Sequence, residues 1–250
     1  MEGQIMFKAT IDAHKLIECV DALRTLVIEA KFVLTPEAMS VNAVDPANVA
    51  MVNLDLPSAA FSSYEATEAE LGIDLRKLSD ILDMAAKDEA LGLELDEAQH
   101  RLVVRMRGLA YTMSLLDPSS IRKGPKMPAL QLPGLAVIHG DNFKRGMKAA
   151  GKVSDYVSVG IHGDTFFIEG TGDVDSVKFE LKREQMLELR SSEVKALFSL
   201  DYLSDISKIA GKSERVSIEL GNDFPVKISH SVANGEGNVI YITAPRVESE

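Results

Sequence analysis

A single cysteine, Cys19, excludes an intramolecular disulfide, and no Asn-x-Ser/Thr glycosylation acceptor occurs in the 250 residues. Both absences fit a reducing compartment. Long apolar runs are missing too: none approaches the roughly 18 residues of a membrane span. The opening Met1-Glu2-Gly3-Gln4-Ile5 lacks the charged and apolar regions of a signal peptide. The expected location is therefore cytoplasmic, with no membrane partner. Basic residues are outnumbered, 27 against 38 acidic, for a net charge of −11. That balance argues against a protein coated in nucleic acid. It still allows DNA binding if the cations collect on one concave surface while the acidic exterior keeps molecules apart.

Catalytic and metal-binding motifs are also scarce. Gly146 to Lys152 has the spacing of a phosphate-binding loop, but Val153 stands where a magnesium-ligating hydroxyl belongs, and the glycines lie inside a helical pattern rather than between strand and helix. His14, His100, His139, His162 and His230 are scattered without the i, i+4 pairing of a zinc helix. Asp80, Asp83, Asp201 and Asp205 read as solvated charges on amphipathic helices, and no nucleophile elbow is visible. No cofactor, metal or enzymatic activity is expected.

What the chain does contain is a duplication. Leu75-Arg-Lys-Leu78-Ser79-Asp80-Ile81 returns as Leu200-Asp-Tyr-Leu203-Ser204-Asp205-Ile206 at an offset of 125 residues. With no gap, Ala85, Lys87, Glu89, Glu94 and Leu95 recur as Ala210, Lys212, Glu214, Glu219 and Leu220, giving ten identities in 21 positions. In each copy leucines at helical spacing lead to a stop near Lys87-Asp88 or Gly211-Lys212 and then to an alternating strand such as Val216–Leu220. An earlier helix led by Asp12 carries Leu16, Cys19, Val20, Leu23 and Val27 on one stripe, and Asp141 introduces its counterpart with Phe143, Met147 and Ala150. The remaining short alternating runs, such as Tyr156–Val159 and Thr165–Ile168 across His162-Gly163-Asp164, read as antiparallel sheet. Each half is thus expected to be α+β, two helices packed on mostly antiparallel sheet.

Between the halves, four of the nine prolines (Pro118, Pro125, Pro128 and Pro133) fall within residues 117–133. Proline fixes φ and removes backbone donors, so this segment is expected to cross the surface without joining a sheet. The expected organisation is an N-terminal domain over 1–116, a connecting loop over 117–133 and a C-terminal domain over 134–250.

Val44-Asp-Pro-Ala-Asn-Val-Ala-Met-Val52, the Leu203–Ile206 helix, Asn222-Asp-Phe-Pro225 and the ending Tyr241-Ile-Thr-Ala-Pro-Arg-Val-Glu248 together resemble the DNA sliding clamps of the proliferating cell nuclear antigen family, in their archaeal form. The resemblance runs in order over essentially the whole chain. It implies topologically similar domains in a DNA clamp fold and three subunits closing head to tail into a homotrimeric ring around double-stranded DNA. Such a ring is a processivity factor of DNA replication and repair. It implies DNA-facing cations at Lys15, Arg24, Lys144, Arg145, Lys148, Lys152, Lys208 and Lys212, with Arg76 and Lys77 as weaker members. Asp80, Asp83 and Asp201 depart from the family there, standing at positions often basic in relatives.

The resemblance also implies docking of DNA polymerase, clamp loader, flap nuclease and DNA ligase through short peptides with hydrophobic and aromatic anchors. Val44, Asn48, Val49, Met51, Pro125, Met127, Pro225, Ile242, Ala244 and Pro245 are the matching walls. Subunits would pair through edge strands bearing Leu109, Tyr111 and Met113 on one side and Val177, Phe179 and Leu181 on the other. Two alternatives stay open: a subunit of a heteromeric clamp, and a peptide-docking scaffold that does not encircle DNA.

Overall fold

The computed structural model describes residues 7–86 and 88–246. Lys87 of the repeat, the opening Met1–Ile5 and Val247-Glu248 of the C-terminal motif lie outside the described residues. By backbone proximity the chain forms two compact units. The first comprises Met1–Pro46, Val52–Lys126 and Ser231–Val239; the second comprises Ala47–Met51, Met127–His230 and Ile240–Glu250. The proline-rich segment is thus shared, 117–126 going with the first unit and 127–133 with the second.

In the first unit β1 (Phe7–Asp12) runs into α1 (Ala13–Arg24). Next come β2 (Glu29–Leu34), β3 (Ala38–Val44), β4 (Ala50–Pro57), β5 (Ser63–Ala66) and β6 (Ala69–Asp74), then α2 (Leu75–Leu82), β7 (Ala90–Asp96), β8 (Arg101–Met106) and β9 (Leu109–Ser114). A five-stranded sheet has the order β5-β1-β7-β8-β9, and β6-β2-β3 form a second antiparallel run. Alternation dictates the faces: β1 buries Phe7, Ala9 and Ile11 while Lys8 faces out. The α1 stripe buries Leu16, Cys19, Val20 and Leu23 as its spacing requires, and Val27 is buried just past the helix end.

The second unit repeats the plan. β10 (Gly134–Ile138) leads to α3 (Gly140–Ala150), then to β11 (Tyr156–Gly163), β12 (Thr165–Thr171), β13 (Ser176–Lys182), β14 (Glu188–Arg190) and β15 (Ser192–Ser199). α4 (Leu200–Ala210), β16 (Val216–Leu220), β17 (Val226–Val232) and β18 (Gly237–Thr243) follow, the residues of β17 and β18 within Ser231–Val239 going with the first unit. One sheet is ordered β13-β12-β11-β15, and β14-β10-β16-β17 form the other antiparallel run. The hairpin between β11 and β12 turns at Gly163, whose φ of 54° suits glycine, and pairs Ile161 with Phe166. Phe143, Met147 and Ala150 of α3 are buried against this sheet. The fold is α+β, with four helices on antiparallel sheets among the described residues.

Helix ends separate the copies. Asp12 caps α1 by accepting from the His14 amide at 2.8 Å, as its position predicts, and Asp74 caps α2 through the Arg76 and Lys77 amides. α3, however, starts at Gly140 with His139 as its cap residue. Asp141 sits inside the first turn, where its charge complements the helix dipole without capping. α4 ends at Gly211 as expected, but α2 ends at Leu82, well short of Lys87-Asp88. The reason is electrostatic: α2 carries Asp80 and then Asp83 at the negative end of its dipole with no basic residue in the last turn, whereas α4 has Lys208 there. The proline-rich stretch adds no strand, and Leu116 just before it forms a bridge to Gly72. It is held at buried Ile121 in the first unit and buried Leu132 in the second.

Candidate functional site

The cations assigned to DNA fall on all four helices or just beyond them, in unlike surroundings. In the first unit Lys15 is largely covered: its Nζ donates to the Ala60 carbonyl at 3.1 Å and pairs with Glu236. Arg24 donates from Nη1 to the Ser79 hydroxyl at 2.5 Å, fastening α1 to α2. Exposed Asp80 and Asp83 accompany Arg76 and Lys77 on α2. In the second unit Lys144, Arg145 and Lys148 on α3, and Lys152 and Lys212 beyond the helix ends, are all exposed. No side-chain hydrogen bond or ion pair engages them among the described residues. Lys208 on α4 is exposed but donates to Asp205 at 2.6 Å, and that contact raises its pKa. Positive charge free to meet a polyanion is therefore concentrated on α3.

The docking residues divide between the units. In the first, Val44 is half-buried at the end of β3, and exposed Pro125 is fastened to the same strand by Asn42, whose Nδ2 donates to the Pro125 carbonyl at 2.6 Å. Gly124 permits that approach: a Cβ there would stand 2.7 Å from the Asn42 carbonyl oxygen. In the second unit Asn48 adopts a φ of 59°, which asparagine tolerates, and Val49 accepts from the Ala244 amide at 2.8 Å. Ala244, Pro245, Pro225 and Met127 are half-buried. Met51 and Ile242 are 7% and 6% exposed, so they are packing residues of that unit rather than open walls. Phe224, beside Pro225 and 56% exposed, is the large apolar side chain the residue-by-residue assignment left out. Its place in the Asn-Asp-Phe-Pro turn was the available signal.

β9 and β13 are edge strands, each hydrogen-bonded to one neighbour, β8 and β12 respectively. Depth of burial divides the six interface residues. Leu109 is 40% exposed and Tyr111, Val177 and Phe179 are half-buried, but Met113 and Leu181 are buried in their own units at 0% and 4%. Residues two apart share one face of a strand, and on that face burial rises along each strand toward Met113 and Leu181. Met113 and Leu181 therefore support their strands from beneath and present only main chain at the edge.

Gly146 and Gly151 of the phosphate-loop-like spacing belong to α3 packing and its C-cap: a Cβ on Gly146 would lie 2.5 Å from Ile168 Cδ1. Among the described residues there is no group of three or more His, Cys, Asp or Glu able to hold a metal, and no helix long and apolar enough to cross a membrane.

The family model of the proliferating cell nuclear antigen N-terminal domain matches residues 6–108, and that of its C-terminal domain matches residues 126–246. A DNA polymerase sliding clamp of Methanocella arvoryzae is 52% identical over 98% of this chain and all of its own length, and that of Methanococcoides burtonii is 49% identical with the same coverage. The solved structure of A. fulgidus PCNA with the C-terminal region of FEN-1 bound superposes with a TM-score of 0.93 at 34% identity, covering 98% of this chain and all of that one. A PCNA from Thermococcus kodakaraensis follows at TM-score 0.89 and 26% identity, over 96% of this chain and all of its own. The chain belongs to the proliferating cell nuclear antigen family of DNA polymerase sliding clamps, which are processivity factors and not enzymes.

Proposed function

We propose that three copies of this chain close head to tail, β9 of one subunit beside β13 of the next, into a cytoplasmic homotrimeric ring that encircles duplex DNA. The observation that carries this reading is the pair of edge strands, neither covered by other chain among the described residues nor interrupted by proline, with β9 carrying no charge either. A heterologous contact of this kind must close on itself or grow into a filament. The exposed α3 cations supply a weak, sequence-independent attraction to phosphates. A few such contacts steer the duplex without arresting it, because each neutralised phosphate adds to affinity and to salt sensitivity.

Docking is the second half of the proposal. Val44, Asn48, Val49, Met51, Pro125, Met127, Pro225, Ile242, Ala244 and Pro245 serve short apolar-aromatic peptides from DNA polymerase, clamp loader, flap nuclease and DNA ligase, Met51 and Ile242 as packing support in their own unit. Support comes from the A. fulgidus relative, which binds the C-terminal region of FEN-1. Methionine and proline suit a surface that serves several partners, the first by adapting and the second by keeping its shape.

The deciding experiment is the solution mass by light scattering over a dilution series. A mass near three times 27.2 kDa, about 82 kDa, is expected. A persistent 27.2 kDa monomer would return the reading to a heteromeric clamp or a non-encircling scaffold.

A further inference from the structure

In the second unit one strand edge is covered by pieces of chain that are not strands. Along β15, the Glu193 carbonyl accepts from Asn222 Nδ2 at 3.1 Å, and the Lys195 amide donates to Asn222 Oδ1 at 2.9 Å. Further along, the Leu197 carbonyl accepts from the Arg246 amide at 2.7 Å. The C-terminal tail is thus stretched between two supports, Ala244 donating to Val49 and Arg246 to Leu197, with Pro245 between them offering no donor of its own. Two hydrogen bonds hold a short exposed tail weakly. A third contact secures it: the Arg246 guanidinium lies over the Tyr156 ring, 4.2 Å from its centroid. Tyr156 is the first residue of β11 and pairs with Ser199 of β15, so its ring is set by the same ladder that receives the tail.

We infer that Tyr156 is a positioning residue for partner docking: by stacking on Arg246 it holds the tail so that Ala244 and Pro245 form a fixed wall of the docking surface. The inference rests on the docking reading above. Tyr156 is not one of the docking residues named there, and it acts through Arg246. A wall that is already ordered spares an incoming peptide the entropy of ordering it.

The test compares wild type, Tyr156→Ala, Tyr156→Phe, Arg246→Ala and the double alanine variant in two measurements. The first is the affinity for a labelled peptide copied from the C-terminal region of FEN-1, the second the amide exchange of Ala244 and Arg246. An exposed cation–π contact corresponds to a loss of about 2- to 5-fold in affinity for each alanine variant. The losses should not add in the double variant. Exchange at Arg246 should quicken by a similar factor in Tyr156→Ala, whereas Tyr156→Phe, which keeps the ring face, should match wild type in both. If wild type binds the peptide and the alanine variants bind equally well, the inference is overturned while docking stands. If wild type leaves the peptide unbound, docking falls, and unchanged Arg246 exchange in Tyr156→Ala would overturn the latch itself.

Discussion

At the scale of single residues, Gly140 shows how closely two helices approach. It opens α3 where the end of α4 passes, donating its amide to the Ser213 carbonyl at 3.0 Å. A Cβ there would stand 2.2 Å from the Ala210 carbonyl oxygen and 2.6 Å from that of Ser213, and backbone atoms cannot rotate aside. Gly140→Ala is expected to cost about 1–3 kcal/mol, read as a lower urea midpoint at unchanged slope and fixed protein concentration. A midpoint equal to that of the parent would show that the helices separate freely. Cys19 makes the second residue-scale prediction. Burial, and secondarily the Glu18 charge, push its thiol up to about 12 from 9.0. The unfolded chain therefore loses this proton first, so the contribution to stability is complete below pH 9 and falls as pH rises toward 12. A disulfide-exchange reagent at pH 8 should label Cys19 only in unfolded molecules; rapid stoichiometric labelling of the native protein would contradict this.

At the scale of elements, the four helices are alike in pattern and unlike in charge. Lys15 and Arg24 are used to hold α1 against Glu236, Ala60 and α2, whereas the α3 cations face out uncommitted among the described residues. Lys144→Ala and Lys148→Ala should each weaken duplex binding and reduce the salt slope by about 0.9 for every phosphate left without its cation. Lys15→Ala should leave the slope unchanged and lower thermal stability instead. Equal slopes for all three variants would remove the distinction between the units. The duplicated helices were legible because leucine spacing and strand alternation are local signals. Lys15's partner was not, since Glu236 lies 221 residues further along and only the folded chain brings them together. The early end of α2 was half-legible: its acidic C-terminus is written in the sequence, but the repeat suggested the longer helix of the other copy. Met113 shows a similar limit, because alternation groups it with Leu109 and Tyr111 on one face but does not say how deeply each is buried.

At the scale of the whole molecule, the treatment of sheet edges points to assembly. Proteins guard edges by keeping them short, covering them or charging them. β5 and β14 have four and three residues, β6 is bridged at Gly72 by Leu116, and β15 is covered by Asn222 and Arg246. Among the described residues β9 and β13, with six and seven residues, have no such cover; β13 carries Lys178, Glu180 and Lys182, but β9 contains neither a charge nor a proline. The bare edge of β9 is therefore the one we propose to meet a neighbouring subunit. Leu109→Asp puts a charge on β9 at a side chain 40% exposed, so the subunit's own core is not disturbed. In the ring that carboxylate would be desolvated beside a neighbouring strand, a cost of several kcal/mol without a counter-ion. The variant should keep the circular dichroism of the parent while its mass falls from about 82 kDa toward 27.2 kDa at micromolar concentration. A variant that stays near 82 kDa down to nanomolar dilution would move the subunit contact away from β9.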